Sequence, residues 1–294
     1  VAMAVRKLPY LNHDGIAFHY FDQGEGLPFV FLHGLGGSLK QTAELLPRSS
    51  GIRFLSIDFR GHGDTPLGVK RKIRFRVFAR DVIALMDHLN IGKAVIGGIS
   101  MGSAVALNIA RRFPERVSGL IISRPAWLDG SMPTENRQMY LYVAKLLAEC
   151  GAKWGKEVFE QSGVYQQLAA AYPAAARSIL GCFEHEFAKN TFVKYLYLPA
   201  DIPNPSPETW SSQTRVPTLI LANRQDPVHA YAYGEYYSNY LPHAELKEIT
   251  SKSVSEERYK SDTQKHVEVF LYRQLQDFSS RLNQMNPNKE SKED

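Results

Sequence analysis

Cysteine is scarce in this chain: Cys150 and Cys182 are the only two among 294 residues. A disulfide-stapled scaffold usually needs more, and neither cysteine falls in a metal-ligand spacing. Whether the two pair with each other is left open. Long apolar runs are missing as well. None reaches the roughly 18 to 20 residues needed to cross a bilayer, and no basic-then-apolar segment opens the chain. The expectation is a cytoplasmic protein with no membrane partner. Charge of one sign is not concentrated either, since the formal net charge of +5 is spread along the sequence. The one basic cluster, Lys70-Arg71-Lys72 through Arg76, reads as a solvated face rather than a nucleic-acid patch. No G-x-G-x-x-G stands at a strand–helix turn and no metal cluster is visible, so neither cofactor nor metal is expected. There is no internal repeat.

What is present is an apolar pattern that alternates between short runs and helical periods. Hydrophobic residues make up 44% of the chain, enough for a large core and one extra subdomain. Val5 to Leu11 and Ile16 to Phe21 read as strands joined by a hairpin at Asn12-His13-Asp14-Gly15. The continuous runs at 29–32 and 54–57 suit strands covered on both faces. From Phe75 to Leu89 the apolar positions fall on one helical face. Further strands are expected at 94–99, 118–123, 217–222 and 245–249, and a closing helix at about 262–282, with Leu282 on its buried side. The residues after Asn283 read as a frayed tail. Such alternation implies a mostly parallel, eight-stranded sheet with helices on both faces.

Two features break the alternation. From about Asp129 to Ser212 only helix-like segments appear, rich in aromatics such as Tyr140, Trp154, Phe159, Tyr195 and Trp210. Pro203, Pro205 and Pro207 then form a stiff return to the sheet. This reads as an inserted helical cap over 129–212, with 1–128 and 213–294 as the core. Most of the cap's aromatics are expected to form its own core. The second feature is Gly98-Ile99-Ser100-Met101-Gly102, set between the apolar run Ala94 to Gly97 and the helical stretch Ala104 to Leu107. A glycine two residues to either side lets the chain reverse with the serine in a strained conformation, its hydroxyl lifted above the sheet edge.

With these residues in view, the chain resembles the α/β-hydrolase superfamily, in its capped form, over nearly its whole length. His33-Gly34-Leu35-Gly36-Gly37 follows the third strand as the family's oxyanion loop does. Asp58-Phe59-Arg60-Gly61-His62-Gly63-Asp64 resembles the family's D-x-R-G-x-G-x-S segment. Ser100 stands at the nucleophile elbow. Asp226 follows the strand after the cap, at the family's acid position. The resemblance implies the α/β-hydrolase fold and a serine hydrolase working through an acyl-serine. It implies oxyanion donors on the backbone N–H of Leu35 and Met101, with His33 and His62 as loop-bracing residues.

The base departs from the pattern. The family's histidine follows the last strand, and the corresponding stretch here is Ser251-Lys252-Ser253-Val254. Three candidates remain open. His229 lies three residues after Asp226 at the strand end where Ser100 emerges. Lys252 could serve if desolvated. His266 sits in the closing helix, about 120° from the centre of its buried face. The bet falls on His229, with the contact to Asp226 expected to be indirect because three residues separate them. The reaction expected is hydrolysis of a carboxylic ester or lactone of a bulky apolar compound, for which a macrocyclic lactone fits. The alternatives are C–C or amide-bond hydrolysis on the same scaffold, or a hydrolase-like binding protein without a competent base. The partner is a small molecule, and oligomeric state is left open.

Overall fold

A computed structural model describes residues 9–46, 48–185 and 187–285, with the side chains of 281–285 left aside. Eight strands form one sheet: β1 (Tyr10–His13), β2 (Ile16–Gln23), β3 (Leu27–Leu32), β4 (Ile52–Ile57), β5 (Ala94–Ile99), β6 (Val117–Ser123), β7 (Thr218–Ala222) and β8 (Ala244–Glu248). Their spatial order is β1-β2-β4-β3-β5-β6-β7-β8. The pairs β1–β2 and β2–β4 are antiparallel and every later pair is parallel. The mostly parallel sheet expected from the alternation is therefore present.

Period-two alternation along the buried strands sorts side chains between two cores. Val30, Leu32, Ile96, Leu120 and Ile122 face one side. There they pack on helices α2 (Phe75–His88), α3 (Met101–Arg112) and α10 (Tyr231–Tyr240), α1 being Leu39–Leu45. Phe29, Phe31, Val95, Ile121, Leu219 and Leu221 face the other, against α1 and the closing helix α11 (Glu256–Met285). Helices on both faces cover the strands, which is why these strands lack an exposed polar period.

Between β6 and β7 the described residues form only helices and turns: α4 (Thr134–Glu160), α5 (Gly163–Ala171), α6 (Pro173–Leu180), α7 (Ala188–Thr191), α8 (Val193–Ala200) and α9 (Trp210–Gln213). Helix α4 breaks direction at Gly151, whose φ of 76° only glycine adopts without cost. Phe159 and Phe183 are buried and pack on one another with Tyr142 and Tyr165 around them. Trp210 is also buried, but against Tyr237 of α10. Trp154 is 65% exposed.

Two boundaries differ from the sequence reading. The first strand runs to His13, so the hairpin turns at Asp14-Gly15 alone, and Val5 to Leu8 lie outside the described residues. Helix α11 begins at Glu256, six residues early, because Ser255 Oγ accepts the Arg258 N–H and starts the helix on a polar turn that apolar periodicity misses. The Leu282 side chain and the tail from Asn286 fall outside the described residues. Cys150 is exposed, Cys182 is buried, and both are free thiols. No described helix is long and apolar enough to cross a membrane. Lys70 and Arg71 of the basic cluster are exposed, while Lys72 pairs with Asp14.

Candidate active site

Ser100 sits at the carboxyl end of β5, between the strand and the first turn of α3. Its φ of 55° and ψ of −113° place it in a region that a non-glycine residue occupies at a cost of about 1–3 kcal/mol. The turn is held by backbone and by tight packing. Ser100 N–H donates to the Ser123 carbonyl at 2.9 Å, and Ser103 Oγ donates to the Ser100 carbonyl at 2.6 Å. A Cβ on Gly98 would lie 2.3 Å from the Gly102 carbonyl carbon, and one on Gly102 would lie 2.2 Å from the Leu32 carbonyl oxygen. The two glycines flanking the elbow are thus required by close approach.

The loop after β3 comes up against the serine. A Cβ on Gly34 would stand 3.5 Å from the Ser100 Cβ. Gln41 Oε1 accepts the Gly34 N–H at 2.9 Å, and Gly37 N–H donates to the Gly34 carbonyl at 3.0 Å. The N–H groups of Leu35 and Met101 donate to no acceptor among the described residues. His33 is fully buried and doubly engaged: Nδ1–H donates to the Gly34 carbonyl at 2.8 Å and Nε2 accepts the Phe59 N–H at 3.1 Å. Burial pushes its pKa down to about 3, so it stays neutral and braces the loop. His62 packs on it with ring centroids 5.0 Å apart, and its own Nδ1–H donates to the Arg60 carbonyl at 3.0 Å.

The loop leaving β7 carries both Asp226 and His229. Asp226 Oδ1 accepts the backbone N–H of Val228 at 3.1 Å and of His229 at 3.0 Å, winding the chain into a tight turn. That turn folds the imidazole back onto its own carboxylate, with His229 Nδ1 3.0 Å from Oδ2 and 3.1 Å from Oδ1. The expectation of an indirect contact is therefore corrected. Three residues of spacing suffice because the carboxylate itself closes the turn. His229 Nε2 lies 2.9 Å from Ser100 Oγ. With Nδ1–H donating to Asp226, Nε2 is the nitrogen free to accept from the serine hydroxyl.

Sequence reasoning missed Arg124. It follows β6 in a left-handed conformation, φ 46°, and is nearly buried. Its Nε donates to Asn223 Oδ1 at 2.9 Å, and its Nη2 pairs with Asp226 Oδ2 and lies 3.2 Å from His229 Nδ1. The signal available was a lone charge at the end of a continuous apolar strand, directly before Pro125. Burial works to raise the Asp226 carboxyl, but His229 and Arg124 override it and hold it well below the usual carboxylate range. His229 is itself lowered, first by burial, with Asp226 pulling upward and Arg124 pushing down.

The other two base candidates lie elsewhere. Lys252 Nζ stands 4.7 Å over the Tyr259 ring, whose other neighbour is the Arg124 guanidinium at 5.3 Å. Burial and Arg124 lower its pKa to about 8. His266 is on α11, among Lys247, Lys265, Asp262 and Glu245, and His243 is exposed at the amino end of β8. Neither approaches Ser100 by any described contact.

This geometry can be set beside known proteins. The family model for the alpha/beta hydrolase fold matches residues 28–252. The chain belongs to the alpha/beta hydrolase family. Among curated members, it is 26% identical over 250 residues to 3-oxoadipate enol-lactonase 2 of Acinetobacter baylyi, spanning 83% of this chain and 89% of that one. It is 30% identical over 257 residues to the 2-hydroxy-6-oxononadienedioate/2-hydroxy-6-oxononatrienedioate hydrolase of Comamonas testosteroni, spanning 82% and 86%. The solved enol-lactonase from Burkholderia xenovorans LB400 superposes with a TM-score of 0.70 at 22% identity, covering 90% of this alpha/beta hydrolase and 100% of that chain.

Proposed function

We propose that this alpha/beta hydrolase cleaves a carboxylic ester or lactone through an acyl-serine formed on Ser100. The observation that carries the reading is the chain of contacts from Ser100 Oγ to His229 Nε2 and from His229 Nδ1 to Asp226. A hydroxyl attacks a carbonyl carbon only as a base takes its proton, and His229 is the group in reach. The Ser100 proton passes to Nε2 while Oγ bonds to the carbonyl carbon. The resulting imidazolium is balanced by the Asp226 carboxylate. The carbonyl oxygen takes up negative charge opposite the N–H groups of Leu35 and Met101, each such donor contributing about 3 kcal/mol. His229 then gives its proton to the leaving alkoxide, and water repeats the sequence on the acyl-serine.

The helical excursion, taken as a cap over 129–212, supplies the ceiling. Tyr140 and Tyr195 stack with centroids 5.9 Å apart, and a Cβ on Gly36 would meet the Tyr195 hydroxyl at 2.9 Å. This buried aromatic pair above the oxyanion loop supports a bulky apolar acyl or lactone group, a macrocyclic lactone included. A groove of about 540 Å³ runs past Ile99, Gly37 and Tyr259 and offers a route of approach. The two free thiols suit a cytoplasmic setting.

A second reading, C–C bond hydrolysis, draws support from the 30% identity to the Comamonas testosteroni hydrolase. The binding-protein reading loses its motive, since the missing histidine was its only support and an imidazole stands at the serine. A fluorophosphonate should add one label to the wild type and none to Ser100→Ala. An unlabelled wild type would overturn the acyl-serine. Replacing cap residues around Tyr140 and Tyr195 should change which esters are cleaved while Ser100 labelling persists.

A further inference from the structure

A second cavity, of about 300 Å³, lies between the loop after β4 and the stretch from His185 to Lys194 at the start of α8. Its wall includes Gly61, Thr65, Leu67, His185, Thr191 and Lys194. Lys194 is the unusual member, with 1% of its surface exposed. Its Nζ donates to the Gly61 carbonyl at 2.6 Å and to Thr191 Oγ1 at 3.2 Å. An ammonium carries three donors, so one N–H has no acceptor among the described residues. No carboxylate among them lies within ion-pair distance either. His185 Nε2, on the same wall, is likewise buried without a partner.

A buried cation without a counter-charge is costly, and proteins avoid it unless something supplies the charge. Here the neighbours make matters worse. The titratable groups facing Lys194 are His33 and His62 from the core loops, then His185, Cys182 and Tyr195 from the inserted segment, with Asp64 on the cavity rim. None but Asp64 is an ordinary anion, and Asp64 is exposed. Burial holds Lys194 down to about 8, which still leaves it largely charged at neutral pH. We propose that this cavity binds a carboxylate, seated on Lys194 Nζ with Thr191 and His185 beside it. A monoanion fits better than a phosphate, because the site offers one cation and few donors, without an arginine fork.

The carboxylate has two possible sources: the distal end of the ester substrate, or a separate small acid. The first would deepen the acyl-serine reading, and binding itself does not depend on that reading. Calorimetric titration with benzoate, and with neutral benzamide as control, tests the site directly. Wild type should bind benzoate at least about tenfold more tightly than benzamide, as expected for a charge-assisted contact. Benzoate affinity should fall as pH rises through about 8, since the ammonium form is the one that binds. Lys194→Met should weaken benzoate at least about tenfold while keeping its circular dichroism spectrum. Should Lys194→Met fail to fold, Thr191→Val should still weaken benzoate, by about threefold. Competition of benzoate against a 4-nitrophenyl hemi-adipate ester would assign the site to the substrate. Inhibition without competition would assign it to a separate acid. Equal binding of benzoate and benzamide, or affinity unaffected by pH and by both substitutions, would overturn the proposal.

Discussion

Two neighbouring loops leave the same edge of the sheet, and they have divided the work unevenly. The loop after β7 holds Asp226 and His229 within one turn, with the imidazole folded onto its own carboxylate. The loop after β8, where the family pattern places a histidine, holds Ser251 and Lys252 instead. Ser251 Oγ accepts the Ser253 N–H at 3.2 Å and donates to the Gln225 carbonyl at 3.4 Å, and Lys252 lies on Tyr259. What a proton acceptor needs is a position in space relative to Ser100, and two different loops can reach it. Arg124 fits the same account. A compact acid–base turn concentrates charge, and a buried guanidinium beside Asp226 offsets it.

The sharpest way to break this comparison is His229→Ala. Turnover of a neutral ester should drop by about 10³-fold or more with the melting temperature kept, as for removal of a triad base. If turnover instead survives and is lost in Lys252→Ala, the β8 loop carries the base after all. Asp226→Asn should rank next, with a loss of about 10²–10⁴-fold, because the amide favours the wrong imidazole tautomer. Its backbone-closing turn should persist, so the folded fraction is the control.

Arg124→Met sharpens the electrostatic half. The cation holds the His229 pKa down, and a base works only when neutral, so activity in wild type rises through a pKa below the usual 6.5. Without Arg124 the acid limb of the kcat/KM profile should move upward, with burial the chief cause left to hold the imidazole down. A limb that stays in place or moves down would show that the guanidinium does not act on the imidazole. The smallest effects belong to the β8 loop and the closing helix. Lys252→Ala and His266→Ala should each change turnover less than about threefold, because neither side chain has a described contact with Ser100 and each can act on the site only as a screened charge.

Much of the fold was legible because parallel strands covered on both faces write themselves as continuous apolar runs, as at Phe29 to Leu32 and Ala94 to Ile99. The elbow at Ser100 was legible for a different reason, since glycines at 98 and 102 answer to backbone contacts that nothing larger permits. The Asp226–His229 contact was only half legible. Spacing gave the proximity, but the turn that joins them depends on Oδ1 accepting two backbone N–H groups, which no pattern of residue types announces. Arg124 escaped altogether, because its partners Asn223 and Asp226 lie about a hundred positions away. The early start of α11 was missed since Glu256 and Glu257 follow helix-start chemistry rather than apolar period.

The packaging of Asp226 and His229 in one turn has an architectural consequence. A triad spread over three loops ties every one of them to a fixed length and path. If Asp226 and His229 act as proposed, the acid and its imidazole travel together, and the segment from Ser251 to Ser255 is relieved of catalytic duty. It can lengthen, shorten or take on new side chains at the lip of the groove beside Ile99 and Tyr259 without disturbing proton transfer. On the proposed assignment, this loop of the alpha/beta hydrolase becomes ground on which substrate range can be altered.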